Sequence, residues 1–188
     1  GSSPVGEFPL DKMGAMSSWD GASQVYYNSS DIKIKGFFFY CTNPGATAVR
    51  TTGHLYEVGA DTVGNRIAWT EFDVDAGAFQ AASAFFDNPI SVDGDFMLSI
   101  QLIPDGSTDT LSIAYGDQGR GENLSRLYFM QFDTWYAPYI DFGGVDWDFM
   151  IFPIYDVELN ADLTLATQAF QGDNVSYSEN TVLPSLAD

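Results

Sequence analysis

The residues able to do chemistry in this chain are scarce in some kinds and abundant in others. One histidine, His54, and one cysteine, Cys41, stand against 26 carboxylates. A Ser–His–Asp triad or a Cys–His pair would have to use His54 as its base, because the chain has no second imidazole. His54 sits mid-strand in phase with Thr52 and Tyr56, no nucleophile-elbow sequence occurs, and Cys41 belongs to an aromatic strand. The two read as a sheet-surface histidine and a buried free thiol. The same counts exclude an intrachain disulfide framework, a cysteine zinc site and a multi-histidine metal centre. The loop Gly116-Asp-Gln-Gly-Arg-Gly121 lacks the GxGxxG spacing and a following helix, so no phosphate cradle is expected there.

Carboxylates admit two further chemistries. A glycosidase needs only a pair of acids about 5–10 Å apart, which so many carboxylates meet by chance. The acid-rich aromatic segment Asp141 to Asp156 is where an acid with a raised pKa would be sought. Calcium suits the donors better, since Ca²⁺ takes about six to eight oxygens and needs neither histidine nor cysteine. Asp105, Ser107 and Asp109 alternate along one segment; Asp141, Asp146 and Asp148 bracket a Gly-Gly turn; Asp87, Asp93 and Asp95 surround another turn. Each cluster is also ordinary Asx-turn composition. The metal candidates are Asp105, Asp109, Asp141, Asp146 and Asp148, with Ca²⁺ as the ion.

Aromatic rings supply the remaining chemistry. Rings that stack on sugar faces, beside Asp, Asn and Gln for the hydroxyls, make β-sandwich carbohydrate sites, although most rings in a sandwich are core. Trp19, Tyr26, Tyr27, Trp135, Tyr136, Tyr139 and Trp147 are available. Thr134-Trp-Tyr-Ala-Pro-Tyr139 reads as a loop or broken strand, so its rings have less reason to be core. Trp135, Tyr136, Tyr139 and Trp147 are the ligand candidates. Sequons at Asn28, Asn123 and Asn174 matter only in a glycosylating secretory pathway.

The elements that must hold these residues are β-strands. The acids are 20 Asp and 6 Glu, and with 18 Gly and 8 Pro this favours turns over helices. Ile32 and Ile34 alternate with Lys33 and Lys35 before the run becomes wholly aromatic at Phe37. Thr47 to Val58 and Arg66 to Val74 form a hairpin, with Ile67 and Trp69 on one face and Ala68, Thr70 and Phe72 on the other. Phe85 to Val92 and Asp95 to Ile103 form a pair broken at Asp93-Gly94, with Phe96, Leu98, Ile100 and Leu102 opposed to Ser99 and Gln101. Thr110 to Tyr115, Arg126 to Phe132, Phe149 to Leu159 and Leu163 to Phe170 bring the count to about nine or ten strands. Only Gly77 to Ala84 is compatible with a helix. The spacing predicts an all-β antiparallel sandwich, jelly-roll-like.

Length and charge bound the rest. At 188 residues the chain is one domain. Residues 1–30 comprise a tag remnant (Gly1 to Ser3), an N-terminal segment and a first edge strand; 31–170 the sandwich core; 171–188 a polar strand or linker. The tag remnant deprives a missing signal peptide of any meaning. The net charge, 7 − 26 = −19, repels nucleic acid and anionic membranes, and the seven basic residues are scattered. A chain 45% apolar and 15% aromatic is too hydrophobic for a disordered acidic tail. Its longest apolar stretch, Phe149 to Tyr155, is far short of the about 18 residues a spanning helix requires. The oligomeric state is not legible, and sheet edges leave strand-addition assembly open.

Asp31 to Tyr40, Gly53-His-Leu-Tyr-Glu-Val58 with Arg66-Ile-Ala-Trp69, Phe86 to Val92 with Gly94 to Ile100, and Trp147 to Pro153 follow one another in an order that resembles jelly-roll modules of secreted Bacteroidota proteins. Such modules precede a type IX secretion sorting domain in adhesins and extracellular hydrolases. The resemblance spans Asp31 to Tyr155, departs from the pattern at Val63-Gly64 where Pro-Gly is usual, and transfers no active-site residue. It implies a secreted or cell-surface location. The expectation is a non-catalytic module for adhesion or ligand binding, with polysaccharide or a cell-surface component as partner and calcium as stabiliser. A purely structural module of a secreted enzyme or surface filament is the alternative, and a carboxylate-based glycoside hydrolase the third reading.

Overall fold

Alternation of period two continues through nearly the whole of the structure, a computed structural model that describes residues 6–11, 19–59, 62–103, 110–116 and 123–156. These carry twelve strands, more than the nine or ten expected, with one 3₁₀ turn and one short helix. The fold is an all-β sandwich of two antiparallel sheets. The first holds β1 (Gly6–Asp11), β3 (Ile32–Asn43), β6 (Gly77–Val92), β8 (Thr110–Gly116), β11 (Asp148–Phe149) and β12 (Ile151–Tyr155). Its centre is β3, flanked by β6 on one edge and by β8 and β12, end to end, on the other. The second sheet holds β2 (Gly21–Tyr26), β4 (Val49–Val58), β5 (Val63–Val74), β7 (Phe96–Leu102), β9 (Ser125–Phe129) and β10 (Thr134–Tyr136), in the order β10-β9-β2-β7-β4-β5.

The alternation decides what enters the core. From β3 come Phe37, Phe39 and Cys41; from β7, Phe96, Leu98, Ile100 and Leu102; from β8, Leu111 and Ile113. All are buried, and each large side chain contributes roughly 1.5–3 kcal/mol by leaving water. Phe39 meets Phe72 of β5 across the gap, with ring centroids 5.8 Å apart. The Phe37 ring packs close against β4 at Gly53: a Cβ added there would stand 2.5 Å from Phe37 Cζ. Only glycine allows that approach.

Polar side chains also cross the sandwich. Gln24 Oε1 accepts the Phe149 N–H at 2.9 Å, and the Tyr26 hydroxyl donates to the Ile151 carbonyl. Burial pushes the pKa of Tyr26 well up, so this donor keeps its proton. At one end of the sandwich Asn43 donates to the Thr47 and Val74 carbonyls, both at 2.9 Å, and accepts the Gly45 N–H at 3.0 Å.

The hairpin β4–β5 forms as the sequence predicts, in register from Val49↔Val74, while five other elements differ. The strand expected from Arg126 to Phe132 ends at Phe129, where the 3₁₀ turn Met130–Phe132 begins. The helix-compatible stretch Gly77 to Ala84 is the first half of β6 and pairs with β3 from Phe37 to Asn43. Small residues let it lie flat there, with Phe79 stacked on Tyr40 at 5.5 Å. The pair expected across Asp93-Gly94 is split between sheets, because Gly94 takes a φ of +100° and turns β7 away from β6. Gly21–Tyr26, within a segment read as peripheral, is a central strand whose small residues gave little hydrophobic pattern. The strand expected from Phe149 to Leu159 is, as far as it is described, two, β11 and β12, parted at Met150, where the chain steps from β8 to β3; Val157 to Leu159 lie outside the described residues. The strand expected at Leu163 to Phe170 and the segment 171–188 lie outside the described residues.

Replacing Gly53 by alanine pushes a methyl group into the Phe37 ring. Gly53→Ala is expected to cost about 2 kcal/mol, lowering Tm by about 4–8 °C in a thermal melt. An unchanged Tm would mean that the ring does not pack on β4.

Candidate functional site

Cross-strand register on the second sheet assembles a site that no local sequence displays. Because Leu98, Ile100 and Leu102 face the core, Met97, Ser99 and Gln101 point to the outer face. Pairing aligns Ser23, Ser99 and His54 in one row across β2, β7 and β4, and aligns Gly21, Gln101 and Thr52 in the next. Arg126 and Tyr128 of β9 extend the two rows on one side, and Trp69 and Glu71 of β5 on the other. Trp135 of β10 stands opposite Tyr128.

Outer faces of antiparallel sheets are ordinarily solvated, yet Ser23 and Ser99 are 0% exposed, His54 4% and Gln101 6%. Half-buried rings surround them. Trp135 contacts Tyr128 at 4.8 Å and Tyr56 at 5.3 Å, and Tyr56 stacks on His54 at 5.8 Å. Hydrogen bonds tie the row together. Gln101 Nε2 donates to the Tyr56 hydroxyl and to Ser99 Oγ, both at 3.2 Å. Thr52 Oγ1 donates to the Gln101 carbonyl at 3.0 Å and lies 2.8 Å from His54 Nε2. The Tyr128 hydroxyl donates to Asp133 at 2.7 Å, and burial with that carboxylate raises its pKa. Two buried atoms of the row, Ser23 Oγ and His54 Nδ1, have no hydrogen-bond partner among the described residues. Such atoms are uncommon in native proteins and mark places where a partner is missing.

His54 is thus an outward-facing histidine but not a solvated one. Burial, with the Arg66 guanidinium adding to it, lowers its pKa to about 4, so the ring is neutral at ordinary pH. Cys41 is the buried free thiol expected, its pKa pushed up to about 12 by burial and then by Glu7.

The four aromatic candidates do not share a surface. Trp135 belongs to the outer face just described. Tyr136, its neighbour, points to the opposite side and packs on Trp19 at 5.3 Å and Phe142 at 6.1 Å. Tyr139 lies on the short helix α1 (Pro138–Asp141), 39% exposed. Trp147 is packed against Phe8, Tyr115 and Phe149 of the first sheet. The carboxylates are dispersed as well. Asp141 accepts the Ala137 N–H at 2.7 Å, Asp146 is buried before the sheet begins, and Asp148 opens β11. Among the described residues no three His, Cys, Asp or Glu side chains group as metal ligands, and Asp105 and Asp109 lie outside those residues. Ser99 and Gln101 were legible as outward-facing; Ser23, Tyr56 and Tyr128 join them only through register. No protein family and no curated protein matches the chain.

Below about pH 6.5 the unfolded chain protonates its histidine while the folded one resists down to about pH 4. The unfolded state therefore binds more protons, and stability falls as pH falls through this window. The expected loss is on the order of 3 kcal/mol for the native chain relative to His54→Gln. Denaturant titrations of both proteins across the window check it; parallel pH profiles would show His54 to be solvated.

Proposed function

We propose that this chain is a non-catalytic β-sandwich module of a secreted or cell-surface protein, and that it binds carbohydrate, in an adhesive role, on the outer face of the second sheet. One observation carries the reading: a buried polar row, with hydroxyl and imidazole atoms left unpartnered, lies beside the connected rings of Tyr56, Trp135 and Tyr128. Sugars offer what such a face lacks, hydroxyls that both donate and accept together with apolar ring faces that stack on aromatics. The absence of catalysis is argued from inventory. His54, a weak base when its pKa is near 4, is buried and held 2.8 Å from the Thr52 hydroxyl. Secretion rests on the resemblance at Asp31 to Tyr155 and accords with a chain of net charge −19. Calcium enters the proposal as a stabilising ion, with Asp105 and Asp109 as the residues tested first.

Titration calorimetry against soluble oligosaccharides is expected to find binding that Trp135→Ala weakens about tenfold or more, by removing stacking area. A chain that binds no oligosaccharide would end the reading. Calcium about tenfold above its Kd is expected to raise Tm by a few degrees, since linkage then supplies about 1.4 kcal/mol. Asp105→Asn with Asp109→Asn is expected to erase that rise; a Tm indifferent to millimolar calcium removes the ion from the proposal.

A further inference from the structure

We propose that β6 is a self-association edge, where two copies of this chain pair their β6 strands antiparallel about a two-fold axis at Ala82 and join their first sheets into one. This edge belongs to the first sheet, whereas the sugar-binding face proposed above lies on the second, so the two readings stand or fall separately. Among the described residues β6 pairs with β3 alone, and the backbone groups along its other side have no strand to pair with. Such a row is a template for another strand, and natural sheets guard it with charge, proline or shortness. The other described strands that end a sheet carry those guards. β1 has Glu7, Pro9 and Asp11; β12 has Pro153; β10 is three residues long; β5 has Arg66, Glu71 and Asp73. From Gly77 to Phe86, β6 reads GAFQAASAFF, without a charge or a proline. In a chain of net charge −19, a second copy meets little repulsion there.

The exposed rings fix the partner and the register. Alternation turns Ala84 and Phe86 inward, where both are buried, and sets Phe79, Ala81, Ser83 and Phe85 on the outer face. Phe79, stacked on Tyr40, is still 47% exposed, and Phe85 is 52% exposed. Each stands three positions from Ala82 in the sequence. A two-fold axis at Ala82 therefore places Phe79 of each copy opposite Phe85 of the other, and Ala81 opposite Ser83. Aromatic cross-strand pairs of this kind stabilise a sheet. Asp87 falls opposite Gly77 of the second copy, so no acid within the pairing faces an acid directly across. Pro89, just beyond, cannot donate to a ladder and ends the pairing. The pattern complements itself, which is what an isologous contact between identical chains requires.

Sedimentation of the full chain over a wide concentration range, at low and at high salt, is the first test. A reversible dimer is expected, its Kd falling about tenfold as salt screens the repulsion between two acidic copies. Ala81→Lys, on an exposed outer position, should weaken the dimer about tenfold or more while leaving a folded monomer. Register is read on Asp87→Cys carrying a nitroxide, since the native thiol Cys41 is buried and held protonated and so escapes the label. The two labels of a dimer should stand about 34 Å apart, ten residues along the pair at roughly 3.4 Å each, by pulsed electron paramagnetic resonance. This measurement gives the answer if Ala81→Lys does not fold. A monomer at every concentration, a dimer that salt weakens or that folded Ala81→Lys leaves intact, or a label separation far from the expected one would each overturn the proposal.

Discussion

The sandwich depends on hydrogen bonds that run through its core from one sheet to the other. Gln24 and Tyr26, one alternation apart on β2, reach the backbone on either side of Met150. There the first sheet is irregular, since β11 and β12 divide one chain segment between β8 and β3. A strand that changes partner midway exposes peptide groups that must be satisfied. The second sheet supplies two of the answers through its own side chains. Hydrophobic contact between Phe39 and Phe72 holds the sheets together without specifying their offset, whereas directional bonds to particular carbonyl and amide groups do specify it.

That offset governs the site, because the site is a product of register. The row Ser23, Ser99 and His54 exists only while β2, β7 and β4 keep their pairing. A slip of one residue along any strand would exchange the outer face for the core face. The core side of β7 is wholly apolar and that of β4 includes the Gly53 recess for Phe37, so such a slip is strongly opposed. The polar row is therefore positioned by apolar packing on the reverse side of the same strands.

Much of the fold was legible in the sequence, and the site was not. Strict alternation in Phe96 to Leu102 and Arg66 to Val74 assigned both strands and their faces, because one face meets a core and the other does not. Local pattern failed where tertiary pairing overrode it. Gly77 to Ala84 has helix-compatible composition yet completes an edge of the first sheet, and Gly21–Tyr26 has few large apolar residues yet is central in the second. The aromatic segment around Trp135 contributed one of its rings to the site, since successive residues on a strand point to opposite sides. His54 was read as surface because its phase is outward. Its register neighbours, Ser99 of β7 and Trp69 of β5, lie far away in the sequence and adjacent in space, while Tyr56 of its own strand stacks on the ring.

Cys41 has a consequence of another kind. The chain has one thiol, on the inner side of the central strand β3, 0% exposed and held protonated by its surroundings. Thiolates are the species that oxidants and disulfides attack. A folded copy is thus redox-silent, and two folded copies cannot become cross-linked through sulfur in an oxidising milieu. Once β3 separates from its neighbours, the same atom becomes reactive. The sulfur is a built-in tally of opening events, silent in every intact molecule and permanently marked in each one that has come apart in the presence of an alkylating agent.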